Sequence, residues 1–199
     1  MKLKQRPELV ELLQDELDYF LEIYRDIEIQ QRRPSDNQEA DFSSENILKL
    51  AQQSNQENRS SKLDKFIIHG DILNNMARKL SDHLGKNFKI SGRFFYKENG
   101  GMSWHTNKES PGLRIYFSYA FEPGSSSFQY LDPETKKICI DKDQEGWQAR
   151  SFLISPIPGK LFWHCVQTTT ARRISLGFSS GNTMPIPPAL PVDERKILP

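Results

Sequence analysis

The sequence predicts a mainly β protein, a sandwich or barrel with helices packed on one side. From Phe88 onward, short segments rich in aromatic and β-branched residues follow one another, with Gly, Pro, Asn and Asp between them. Before Phe88, apolar residues instead recur at spacings of three and four, so helices precede strands. With 199 residues, 36% of them hydrophobic, the chain is long enough to bury a substantial single core.

Each element follows from its own pattern. Pro7 opens a segment with Leu9, Leu12, Leu13, Leu17, Phe20, Leu21, Tyr24 and Ile27 on one stripe, which predicts an amphipathic helix to about Ile29 within an N-terminal unit of residues 1–33. That stripe is expected to pack on the domain; a homodimer through the helix is the alternative. Residues 34–64 are polar apart from Phe42 and Ile47-Leu48-Lys49-Leu50, and read as a linker with at most one short helix. The domain proper, 65–181, begins with a helix over 71–84 that carries Ile72, Leu73, Met76, Leu80 and Leu84 on one face and is stopped by Gly85. Strands are predicted at 89–96, 113–121, 127–131, 137–140, 149–154, 160–166 and 172–179. Turns fall between them at Asn99-Gly100-Gly101, Pro111-Gly112, Glu122-Pro123-Gly124, Asp132-Pro133 and 156–159. Residues 182–199 form a Pro-rich tail, expected as an extended arm.

Charge and composition remove several function classes. Lys and Arg total 27 against 26 acids, a net charge of +1 that offers no field for nucleic acid. No apolar run approaches the ~18 residues of a membrane span, so no membrane association is expected. The basic first residues run into an acidic helix, unlike a signal peptide, and Cys139 and Cys165 show neither disulfide nor zinc spacing. The expectation is a cytoplasmic protein. No Gly-x-Ser-x-Gly elbow supports a hydrolase. His69 and His83 flank the 71–84 helix without partners at ligand spacing and are expected on the surface or in caps.

Chemistry concentrates elsewhere. His105 stands in Ser-Trp-His-Thr-Asn, and His164 in Phe-Trp-His-Cys-Val, 59 residues later (164 − 105); Arg173-Ile-Ser175 begins 9 residues beyond (173 − 164). Each Trp precedes its His, so on a strand the indole faces the core side and the imidazole the other. Taken singly, each His is more often a hydrogen-bonded structural residue. Arg93-Phe-Phe-Tyr96 lies upstream, and Asp-Pro-Glu-Thr135, Pro158-Gly-Lys-Leu-Phe-Trp-His164 and Arg-Arg-Ile-Ser-Leu-Gly-Phe178 lie downstream.

In this order and spacing, residues 92–178 resemble the prolyl 4-hydroxylase-like branch of the Fe(II)/2-oxoglutarate oxygenases. The resemblance implies a double-stranded β-helix, or jelly roll, with N-terminal helices on one sheet and the two histidines near the end of its second strand and on its seventh. It implies metal ligands His105, Asn107 and His164, and cofactors Fe(II), 2-oxoglutarate and O₂, with ascorbate as an accessory reductant. It implies that Arg173 and Ser175, helped by Tyr96, hold the far carboxylate of 2-oxoglutarate. A guanidinium fork beside a hydroxyl suits a carboxylate; the alternative for Arg173 is a surface ion pair, a role its neighbour Arg172 fits better. Period-two alternation puts Arg173, Ser175 and Gly177 on one side of the last strand, and Ile174, Leu176 and Phe178 on the other. The implied activity is hydroxylation of an unactivated C–H bond in a small molecule, peptide or protein. Arg114 is placed to meet an acidic group on the substrate and Trp147 to line the entrance, with a surface charge and a core indole as the ordinary alternatives.

Asn107 departs from the family pattern, which has Asp or Glu there. An amide oxygen has similar reach but no charge, which leaves three outcomes: weak coordination and an active hydroxylase, an inert jelly-roll binding or interaction protein, or an open position of the sort halogenating members create with Gly or Ala. Glu109 is the nearest substitute carboxylate, in an arrangement closer to a cupin.

Overall fold

The computed structural model describes residues 3–25, 42–53, 60–65 and 71–181. A short strand β1 (Lys4–Gln5) leads into α1 (Pro7–Leu12) and α2 (Gln14–Tyr24). The one predicted helix is thus two, broken at Leu13, whose φ of −114° and ψ of 16° leave the helical region while its side chain stays buried. The predicted helix end near Ile29 lies outside the described residues. Leu9, Leu13, Leu17, Phe20 and Tyr24 pack on the chain's own Phe117, Ala149, Leu176 and Phe178. The stripe on which the homodimer alternative rested is therefore used inside the chain.

The segment read as a linker carries α3 (Ser44–Gln53) and a strand, β2 (Ser60–Lys65), paired antiparallel with the first long strand of the domain. Ser-Ser-Lys-Leu-Asp-Lys has no alternation to announce a strand; the open backbone edge beside it supplies the pairing. Next comes α4 (Ile72–Leu84), whose Ile72, Leu73, Met76, Ala77 and Leu80 are buried. Gly85 ends it at φ 62°, its N–H bonded to the Ser81 carbonyl, a left-handed cap that glycine adopts without steric cost.

The domain strands are β3 (Phe88–His105), β4 (Gly112–Ala120), β5 (Ser126–Leu131), β6 (Ile138–Lys142), β7 (Gly146–Ile154), β8 (His164–Thr168) and β9 (Arg173–Ser180). Two differ from expectation. β3 runs straight through Asn99-Gly100-Gly101, where a turn was predicted; Asn99 takes φ 52° and register shifts absorb the irregularity, because partners on both sides hold the ribbon. β8 starts at His164 and not near residue 160, since Lys160 is tied in a turn to the Ile157 carbonyl.

Strand order is β1-β7-β4-β9-β3-β8-β5-β6, with antiparallel pairing throughout and β2 added on β3. The first half of β3 pairs with β9 and the second half with β8. Counted as two strands, β3 divides the order into a sheet of β7, β4, β9 and β3 and a second sheet of β3, β8, β5 and β6. That is the double Greek key of a jelly roll.

Alternation assigns three cores. Outside the first sheet, Ile115, Phe117, Ile174, Leu176 and Phe178 meet α1, α2 and α4. Outside the second, Trp104, Leu131, Trp163 and Cys165 meet Ile47 and Leu50 of α3. Between the sheets lie Tyr96, Phe128, Phe152, Ile154, Phe162 and Val166. Among the described residues no helix is long and apolar enough to cross a membrane. The Pro-rich tail and His69 lie outside the described residues.

Candidate functional site

His105 ends β3, His164 begins β8, and the two are direct cross-strand partners. With Trp104 and Trp163 turned to the α3 side, both imidazoles point between the sheets, their ring centres 4.1 Å apart and their planes inclined at 53°. Each Nδ1 meets a carbonyl two residues upstream: His105 with Ser103 at 2.7 Å, His164 with Phe162 at 3.1 Å. A carbonyl only accepts, so both Nδ1 atoms carry the hydrogen and both Nε2 atoms are left as acceptors. Burial pushes His105 down to about 4; the Ser103 carbonyl opposes this and the charge of Arg114 adds to it. Burial also holds His164 well below its ordinary value, followed by the repulsion from His105. Both rings are therefore neutral at pH 7, the form that binds metals.

Asn107 follows β3 in a turn closed by the Ser110 N–H on its carbonyl at 2.9 Å. Its φ of 53° is a left-handed conformation that Asn tolerates better than most residues. The side-chain Nδ2 lies 3.3 Å from His164 Nε2, and the amide also adjoins the Tyr116 hydroxyl. Asn107 thus sits with the histidine pair. Glu109 is exposed on the same turn. Among the described residues, no three His, Cys, Asp or Glu side chains form a group able to hold a metal. The available set is two neutral imidazoles and a neutral amide.

Arg173 opens β9 opposite Tyr96, with its guanidinium 5.4 Å from the centre of that ring. It is 1% exposed, so it is not a surface charge. Its Nε donates to Asp143 at 2.8 Å, and its buried Nη1 has no partner among the described residues. Asp143 is fully buried, pairs with Arg150 at 2.7 Å and accepts from the Ser126 hydroxyl. Burial alone would raise the Asp143 pKa, but Arg173 and Arg150 together hold it below the usual carboxylate value. Arg150 in turn reaches Asp141 at 2.6 Å, Ser118 at 2.9 Å and Gln148 at 3.0 Å. Ser175 lies two residues along from Arg173 on the same face, opposite Ser118 and Phe94. Sequence reasoning missed Asp143 and Arg150: a charge in a turn or on a strand reads as solvent-facing until the neighbouring strands are known.

Arg114 is also interior, 4% exposed, with Nη2 donating to the Ser110 carbonyl at 2.7 Å and Nε buried without a partner among the described residues. Trp147 corrects the expectation of an entrance residue. Its ring lies edge-on to Phe20 and Tyr119, on the helix-covered outside of the first sheet, where a half-buried indole fills space between β7 and α2. Arg172 is exposed, but its guanidinium stacks over Phe121 at 4.9 Å where an ion pair was expected. His83 is exposed in the last turn of α4.

The residues fit the implied groups at two points. The two Nε2 acceptors would form a donor set for one divalent ion if the Asn107 amide, whose Nδ2 faces His164 Nε2, were turned oxygen-first. The orphaned Nη1 of Arg173 is a buried donor suited to a carboxylate.

No family model and no curated protein matches the chain. Solved structures similar to it include the following three. A 2OG-Fe(II) oxygenase family oxidoreductase from Burkholderia pseudomallei aligns at 12% identity over 72% of this chain and 84% of that one, with a TM-score of 0.43. A Trichoplax adhaerens prolyl hydroxylase, in complex with a hypoxia inducible factor oxygen degradation domain peptide fragment, aligns at 14% over 90% and 82%, with a TM-score of 0.45. A Pseudomonas putida prolyl-4-hydroxylase aligns at 10% over 92% and 93%, also at 0.45. Likeness this distant identifies no function for the chain.

Proposed function

We propose that this chain is an Fe(II)- and 2-oxoglutarate-dependent dioxygenase, a hydroxylase of an unactivated C–H bond in a small molecule or peptide. The observation that carries the reading is the pairing of His105 with His164, both neutral and with Nε2 as an acceptor, between the same two sheets as a buried Arg173 whose Nη1 meets no partner among the described residues. His105, His164 and Asn107 would hold the metal, and Arg173, with Ser175 and Tyr96 beside it, the far carboxylate of the cosubstrate. When bound, iron, 2-oxoglutarate and O₂ supply the oxidant that removes hydrogen from carbon.

The chain's own residues do the rest. The Ser103 and Phe162 carbonyls set tautomer and ring plane. Asp143 holds one edge of Arg173 and leaves another for a ligand. Phe128, Phe152 and Phe162 surround His164 with ring centres 5.2 to 5.7 Å away, which excludes water and keeps the local dielectric low.

An anaerobic titration with Fe(II) and 2-oxoglutarate tests this reading: a visible charge-transfer band is expected from the wild type and from neither His164→Ala nor Arg173→Ala. Succinate release under air with Fe(II) and ascorbate should follow the same order. No band, with no succinate above the variants, overturns the proposal. One observation favours a second reading, an inert jelly-roll binding protein: the donor set carries no negative charge. On that reading Mn(II) with 2-oxoglutarate would leave the thermal midpoint unchanged, because only a ligand bound by the native state raises it.

A further inference from the structure

Among the described residues three arginines are buried between the sheets, Arg114, Arg150 and Arg173, and two of them reach acids. Arg150 pairs with Asp141 and Asp143, and Arg173 with Asp143. Arg114 has the Ser110 carbonyl and no acid among the described residues, and its Nε is buried and unpartnered. A guanidinium cannot escape burial by losing its proton, and an uncompensated buried charge is strongly unfavourable.

The surroundings of Arg114 deepen the imbalance. Its cross-strand neighbours are Phe152 and Ser179. Its charge reaches His105 and His164, both neutral, and Tyr116. Asn107 contributes none where a carboxylate would have contributed one. A divalent ion on the histidine pair would add two more positive charges with nothing to offset them. This part of the space between the sheets is built with an anion missing, whereas the Arg150–Asp143–Arg173 group already contains its own.

We infer that Arg114 receives a carboxylate of a bound ligand, seated against the His105–His164 pair and separate from the carboxylate at Arg173. The inference deepens the oxygenase reading and rests on it for what lies nearby; the uncompensated charge stands without it. The carboxylate has two chemical sources, the keto-acid end of the cosubstrate or an acidic group on the substrate.

Titration calorimetry on Mn(II)-loaded wild type, Arg114→Gln and Arg173→Gln separates the sources, with 2-oxoglutarate and oxalate as probes. Oxalate has the keto-acid end's charge and no distal arm. If the cosubstrate is the source, Arg114→Gln weakens both probes at least tenfold, while Arg173→Gln weakens only 2-oxoglutarate. If the substrate is the source, Arg114→Gln leaves both within twofold but abolishes the rise in thermal midpoint that acetate gives the 2-oxoglutarate-saturated wild type. A variant that changes neither the probe affinities nor the acetate response overturns the inference.

A second arm needs no metal or cosubstrate. In anion-poor buffer, Arg114→Met should raise the thermal midpoint, since it removes a charge without a partner, whereas Arg150→Met should lower it. A fall for Arg114→Met matching that of Arg150→Met would mean Arg114 is already compensated, and also overturns the inference. Loss of Mn(II) binding alongside a raised Arg114→Met midpoint would sink the oxygenase reading and spare this one.

Discussion

Arg173 donates Nε to the Asp143 carboxylate at 2.8 Å, and neither side chain is more than 1% exposed. The same carboxylate meets Arg150 at 2.7 Å, so one acid from the segment before β7 neutralises guanidinium groups on β7 and β9, the two strands flanking β4. The contact fixes one edge of Arg173 and leaves Nη1 without a partner. A structural ion pair and a ligand-ready donor thus share one side chain.

Asp143→Asn should destabilise the fold by about 3–5 kcal/mol, because it leaves the buried Arg173 without its acid and Arg150 with Asp141 alone. The carboxylate's folded pKa lies below the ordinary value, so its contribution is present above the unfolded pKa of roughly 3.9 and is lost as pH falls through the folded one. Urea denaturation at pH 7 measures the loss. Between pH 5 and pH 3 the wild type should weaken more steeply than the variant.

The histidine pair predicts a separate pH effect of its own. Its folded pKa values lie below the unfolded value of roughly 6.5, so the unfolded chain takes up protons first and stability falls as pH drops below that value. From the shift to about 4, His105 alone accounts for about 2 kcal/mol lost by pH 5. Denaturation midpoints at pH 7.5 and pH 5 should differ accordingly in metal-free protein, and the difference should shrink in a His105→Asn, His164→Asn double variant.

Asn107→Asp should tighten Mn(II) binding by at least about tenfold, because it adds an anionic oxygen beside His164 Nε2. Calorimetry reads the change directly. His164→Ala should abolish binding in either background, and an unaltered affinity for the aspartate variant would mean the side chain does not face the ion.

Gly101→Ala should destabilise the fold by about 1–3 kcal/mol, as overpacking does. An added Cβ would run into the Val166 carbonyl on β8 and lie 2.5 Å from Phe42 Cζ. The backbone carbonyl is held in the β3–β8 ladder and cannot yield. A chemical-denaturation midpoint equal to wild type would contradict this packing.

Most strands were legible because half-buried strands alternate and their turns need Gly, Pro, Asn or Asp. The assignment of Ile174, Leu176 and Phe178 to one face and Arg173 and Ser175 to the other follows from period two alone and agrees with their packing. The passage of β3 through Asn99-Gly100-Gly101 was not legible, since local residues announce a turn and only flanking strands hold the ribbon extended. Trp147 misled for a related reason: an aromatic beside a glycine at a strand start looks the same whether a helix covers it or solvent does.

From the sequence alone came the β class, the helices before it, the cap at Gly85, and a short set of chemistry-bearing residues with the face each occupies. These are local properties, set by steric preference and by periods of 2.0 and 3.6 residues. Tertiary structure decided that His105 stands directly opposite His164, that Asp143 joins Arg150 to Arg173, and that Arg114 lies buried without an acid among the described residues. Each of these depends on which strands become neighbours. That choice is made by burying three apolar faces at once, and no stretch of chain records it.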